Sequence, residues 1–238
     1  MKHITGLLVG LLLALPALAL AQEDEEVILE VPEGWVEVEV ETQEAFVYVP
    51  EDFIVEDVTD RVNLPAVAMV SSEEALDVLG ADGTAMPEGQ VGVLSFFLTP
   101  EMQELFLNVS DNIDLMETGS LEELTTALVD VLFAQDEVEI AEVNIAQNEF
   151  LGIDIAVFGW EEQGRVLGNY WLYYYDENVI NVSVLFTDTV DTFLDNGQLL
   201  GTMTLLYAYM GDWETMNKLW DEAFMSSAAS EDDAESDE

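Results

Sequence analysis

Beyond residue 30 the apolar positions fall first into short alternating runs. Val36, Val38 and Val40 are separated by Glu37, Glu39 and Glu41, a period of two that predicts a strand with one wet face. Residues 45–49 (AFVYV) predict a second strand, stopped by Pro50, and AVAMV (66–70) a short buried one. SSEEALDVL predicts a helical turn with a serine cap, and GADGTAMPEG a loop. QVGVLSFFL is apolar at both parities, so it is expected at the centre of a sheet. Residues 105–117 fit neither period.

The segment TGSLEELTTALVDVLFAQDE is unambiguous. Ser120 and Glu123 make a capping box, and Leu121, Leu124, Leu128, Val131 and Leu132 share one helical face. Period two then returns over residues 138–145, 150–160, 165–175 and 179–186, predicting four successive antiparallel strands. Gln147-Asn148, residues 161–164 and residues 176–178 supply the turns. Residues 192–206 predict a helix weakened by Gly197 and Gly201. Gly211-Asp212 opens a last helix, with Asp212 as cap and Trp213, Met216, Trp220 and Ala223 along one stripe.

The densest apolar run is NYWLYYYDENVINVSVLF. On a strand Trp171, Tyr173 and Tyr175 point one way and Tyr170, Leu172 and Tyr174 the other. The facing run 179–186 is similarly apolar on both sides. Such strands belong in a sheet covered on each face, so the aromatics read as core rather than as a stacking platform for sugars or a partner. The last helix has the same two readings. It either packs back on the domain or offers Trp213 and Trp220 to a partner's groove.

The succession VPEGW with two strands, PAVAMVSSEEAL, PEGQVGVLSFFL, a helix, the strand series GIDIAVFGWEEQGRVLGNYWLYYYDENVINVSVLF and a helix ending LLGTMTLL resembles the PsbP-like superfamily. That superfamily is named for an extrinsic subunit of photosystem II. The chain is particularly similar to its exported bacterial PsbP-like and DUF1795-like members. The likeness spans residues 30–206. It implies an α+β fold, an antiparallel β-sheet flanked by helices on both faces, and a non-enzymatic binding or assembly role. It transfers no ligand set. The acidity and the C-terminal helix and tail depart from the family pattern.

The N-terminus changes the picture of where such a domain works. Lys2 and His3 precede an apolar stretch to Leu20, and Ala19-Leu20-Ala21 offers a cleavage site before QEDEE. The expected organisation is therefore a signal peptide (1–21), an acidic arm (22–26) and the α/β domain (27–207). An amphipathic helix (208–225) and a disordered acidic tail (226–238) follow. The expected location is secreted or extracytoplasmic, in a bacterium. The chain has no cysteine, which excludes thiol catalysis and thiolate metal sites.

Charge narrows the partners. There are 51 acids against four Lys and Arg, a formal net charge of −47. After cleavage near Ala21 the cations are Arg61, Arg165 and Lys218, and no histidine remains. Nucleic acid and anionic membrane surfaces both need a positive footprint and are excluded as direct partners. The acids fit a surface tuned to high salt or acidic surroundings, a basic protein partner, or a bound cation. Arg61 and Arg165 are expected to pair with neighbouring carboxylates.

Without Cys or His, Ser-His-Asp triads and imidazole metal sites are impossible, and no phosphate-cradling glycine motif occurs. A two-carboxylate hydrolase of the glycosidase type stays open, although the sequence nominates no pair. Calcium is a further option at DNID (Asp111, Asp114) or DTVDTFLDNG (from Asp188), neither an EF-hand loop. Their ordinary readings are a solvated turn and a helix entry. Asn108 and Asn181 head NVS sequons, discounted for a bacterial chain.

The sequence therefore favours an exported, non-catalytic binding or accessory module with no assigned catalytic, cofactor or metal residue and an unidentified protein partner. A cleft with two convergent acids would favour the hydrolase, clustered loop oxygens the cation binder, and an exposed apolar patch the binding module. Screening should relieve the acidic surface, so the thermal midpoint is expected to rise between about 50 mM and 2 M sodium chloride. A midpoint independent of salt would refute it.

Overall fold

The computed structural model describes residues 31–79, 85–132, 143–148, 153–162, 164–174, 178–209, 211 and 213–234. The expected signal peptide, acidic arm and Asp212 cap lie outside these residues. The strands are β1 (Trp35–Val40), β2 (Ala45–Pro50), β3 (Ile54–Asp57), β4 (Val67–Val70) and β5 (Val91–Leu98). After them come β6 (Asn144–Asn148), β7 (Ile153–Glu162), β8 (Arg165–Tyr174), β9 (Val179–Thr187) and β10 (Ala208–Tyr209). The helices are α1 (Thr59–Val62), α2 (Glu73–Val78), α3 (Pro100–Val109), α4 (Leu115–Thr118), α5 (Leu121–Leu132), α6 (Val190–Leu205) and α7 (Trp213–Ala234).

A seven-stranded antiparallel sheet has the order β3-β4-β5-β9-β8-β7-β6, beside a three-stranded sheet β1-β2-β10. Strand β5 lies inside the sheet between β4 and β9, as its uninterrupted apolar run predicts, and every residue of β5 and β9 is buried. From β5 the chain passes through α3, α4 and α5, enters the far edge at β6, and returns inward strand by strand to β9.

The register gathers small residues over part of one side, beside the larger Tyr170, Leu172 and Phe97. On that side Gly168 lies opposite Gly159 and Leu185, and Tyr170 opposite Ser183, which lies opposite Ser95. These small residues let α6 approach closely. A β-carbon at Gly168 would come within 2.5 Å of the fully buried Phe193 ring. A β-carbon at Gly201 would sit 3.6 Å from Tyr170 Oη, an ordinary contact. Burial pushes the Tyr170 phenol far above its usual range. On the other side Trp171 meets Phe158 edge-on at 5.6 Å, and Tyr173 hydrogen-bonds Thr125 of α5. The aromatics of β8 are therefore core on both faces. Tyr174 is half-buried, and Tyr175 lies outside the described residues.

Local signals hold where predicted. Ser72 Oγ accepts from Ala75 N–H at 3.1 Å, whereas the helix expected from residue 192 begins at Val190, where Thr189 Oγ1 accepts from Thr192 N–H at 3.1 Å. The box closes with Ser120 N–H donating to Glu123 at 2.8 Å and Glu123 N–H to Ser120 Oγ at 3.3 Å. The first strand of the series spans Asn144–Asn148, so the Gln147-Asn148 turn predicted from composition is strand instead, with Asn148 opposite Ile153. At a sheet edge such polar residues cost little. β3, α1 and β10, four residues or fewer each, carry no periodic signal.

Helix α7 packs back on the domain with Met216, Trp220 and Ala223 buried. Trp220 Nε1 donates to Phe97 O at 2.9 Å, and its ring meets Phe96 and Phe106 edge-on at 6.1 and 5.9 Å. The helix continues to Ala234, into the segment that composition marks as a disordered tail. No helix among the described residues is long and apolar enough to cross a membrane.

Two glycines on the α6 side are expected to respond in opposite ways. Gly168→Ala must displace Phe193 and should cost about 1–3 kcal/mol. Gly201→Ala, with room for its methyl group in a helix, should stabilise by up to about 1 kcal/mol. Urea unfolding of both variants checks this; equal effects would disprove the tight fit at Gly168.

Candidate interaction ridge

Helix α3 is built to present one bare side. Thr99 Oγ1 caps it by accepting from Met102 N–H at 3.4 Å, and Pro100 occupies its first turn. Thr99 also hydrogen-bonds Asn217 of α7. Gln103 is buried and donates to Leu98 O at 3.0 Å and Asn178 O at 2.9 Å, tying the helix to the ends of β5 and β9. Met102, Phe106 and Leu107 point into the core.

The helix ends in a Schellman motif. Asp111 takes a left-handed φ of 59°, Asn112 N–H donates to Leu107 O at 2.8 Å, and Asp111 N–H to Asn108 O at 3.2 Å. On the solvent side Leu105 is 43% exposed, Val109 72% and Ile113 37%. The first two stand one helical turn apart, and the third follows the Schellman turn. Other exposed large apolar residues (Val31, Val36, Ile145, Leu194) stand singly or near the start of β1. Acids bound the ridge: Glu101 and Glu104 on α3, then Asp111 and Asp114, all exposed.

The DNID segment is thus a helix terminus with its side chains in solvent. At the second calcium candidate, Asp188 accepts from Gly89 N–H at 2.9 Å, while Asp191 and Asp195 lie exposed on α6. Burial pushes the Asp188 carboxyl up, but hydrogen bonds from Thr192, Gly89 and Thr189 outweigh it and hold it below the ordinary value. Among the described residues no three metal-ligating side chains come together. Asn181 is buried, donating to Phe96 O at 3.3 Å, so its sequon is inaccessible; Asn108 is exposed on α3.

Arg61 pairs with Glu56 at 3.2 Å and donates to Leu76 O at 3.2 Å, as expected of a scarce cation. Lys218 pairs with Glu214 at 3.2 Å. Arg165 is buried at the start of β8, opposite Glu162 in register. Among the described residues it is the one buried charge.

A small open pocket of about 130 Å³ lies between α1 and α7, lined by Thr59, Asp60, Asn63, Leu219, Glu222 and Ala223. Ligand sites are commonly about 300–1,000 Å³. Beside α1, Asp57 joins the two sheets. Its carboxylate accepts from Thr42, from Gln43 Nε2 at 3.0 Å, and from Thr59 N–H and Oγ1 at 2.9 and 2.6 Å. Gln43 also donates to Ala66 O at 2.8 Å. Burial raises the Asp57 carboxyl, yet these hydrogen bonds prevail and lower it.

No family model and no curated protein matches the chain. Solved structures do. The Ran-binding protein Mog1p of Saccharomyces cerevisiae is 15% identical at a TM-score of 0.43, covering 76% of this chain and 97% of Mog1p. Cyanobacterial PsbP from Synechocystis is 9% identical at a TM-score of 0.41, covering 79% and 98%. No residue role is carried over from either.

Because the folded value of Asp57 lies below its unfolded value of about 3.9, its stabilisation is complete above that pH. It is lost as pH falls through the lower, folded value. Asp57→Asn should therefore melt below the parent at pH 7, the gap closing on acidification below about pH 4. A gap that persists to about pH 2 would argue against a charge-dependent tie.

Proposed function

We propose that this chain is a non-catalytic binding or accessory module, working outside the cytoplasmic membrane, that docks a protein partner through the α3 ridge. The observation that carries this reading is the run of Leu105, Val109 and Ile113 left in water by a helix whose other side is fully packed. Neighbouring exposed apolar side chains rimmed by polar residues are the kind of surface at which proteins meet partners. The carboxylate-hydrolase alternative lacks comparable support: the α1–α7 pocket is small, and no carboxylate among the described residues is buried.

A photo-crosslinking phenylalanine analogue at Val109, introduced in the source organism, is expected to trap a discrete protein. The same group at Leu194, exposed on α6, should trap none. Identical patterns from both positions, or no product from Val109, would sink the assignment.

A further inference from the structure

We propose that the ridge takes a cationic amphipathic helix of its protein partner. The apolar stripe of that helix would lie on Leu105, Val109 and Ile113, with its Lys and Arg side chains reaching the flanking acids. The inference rests on the reading of the ridge as a protein-docking surface and adds the chemistry of what docks there.

Three features select that occupant. First, the surface offered is a helix side. The amide groups along it are engaged in the α3 backbone ladder, so an extended strand finds no edge to join. Leu105 and Val109 stand about 6 Å apart along the axis, the repeat of a helical stripe laid alongside. Second, the rim is of one sign. Glu101, Glu104, Asp111 and Asp114 are exposed, and α3 contains no basic residue. Third, the negative end of the α3 dipole falls at Val109, beside the most exposed apolar side chain. A second copy of a chain with net charge −47 would bring acid against acid, and an acidic segment would do the same.

The probe is a labelled synthetic peptide of about 18 residues, with leucines at helical spacing and lysines elsewhere. Its binding to the full chain is followed by fluorescence anisotropy at about 150 and 500 mM salt. A scrambled peptide of identical composition reports attraction by charge alone. A third peptide carries glutamate in place of lysine.

The patterned lysine peptide should bind at least about tenfold tighter than the scrambled one at the higher salt. Combined Leu105→Ser and Val109→Ser should reduce it to the scrambled level with the thermal midpoint unchanged. Val109→Ser alone, at a largely exposed position, should give an intermediate loss and serves if the double variant folds poorly. Equal binding of patterned and scrambled peptides, indifference to Val109→Ser, or equal binding of the glutamate peptide would each overturn the inference. A crosslinked partner at Val109 alongside a failed peptide would overturn only the cationic helix and leave the docking surface standing. Loss of both would remove the two together.

Discussion

The ring of Phe193 lies over Gly168 so closely that no β-carbon could stand between them. Through that contact α6 sits down on the middle of the large sheet rather than riding above it. The register supports it from below, because Gly159 is directly opposite Gly168 on β7. Farther along the same side, Ser95 and Ser183 meet at 2.5 Å beneath the helix and keep the layer thin. On the opposite side Trp171, Phe158, Tyr173 and Phe96 fill the space under α5 and α7. Helix α7 closes the end of the sheet, its Trp220 meeting Phe96 on this side and its Trp213 meeting Phe97 on the α6 side.

The charge is arranged around this core rather than within it. Among the described residues no Asp or Glu is buried, whereas the buried polar set is largely neutral: Gln43, Gln103, Thr125, Asn169, Asn181 and Ser183 among others. Neutral amides and hydroxyls are desolvated at far lower cost than carboxylates, and most here find backbone or hydroxyl partners. Asp57 accepts four hydrogen bonds and ties β3 of the large sheet to Thr42 and Gln43 between β1 and β2 of the small one. Mutual repulsion is thereby confined to solvent-facing groups, where salt screens it. On such a surface an apolar ridge is conspicuous, because it is where contact removes hydrocarbon from water without first burying a carboxylate.

The ridge was poorly legible in the sequence for a physical reason. Residues 105–117 place Phe106 and Leu107 on the buried side of α3, and Leu105 and Val109 on the bare one, so apolar residues surround the helix and erase the stripe. The Thr99-Pro100 cap, with Met102 and Phe106 one turn apart, was the signal that could have found it. DNID reads in sequence as a solvated turn, with calcium ligation as the lesser alternative. The left-handed backbone at Asp111, invisible in composition, makes it a helix terminus.

The central strands β5, β8 and β9, the capping box at Ser120 and the stripe of α7 were all determined by the sequence itself. Local periodicity and caps act within a few residues and need no partner to be recognised. The edge position of β6, the short β3 and β10, the glycine slot for Phe193 and the exposure of Leu105 and Val109 were decided only by the tertiary structure. Each depends on what a distant segment brings alongside. Whether an apolar side chain is core or contact surface is set by its neighbours in space, and those are not written in its neighbours along the chain.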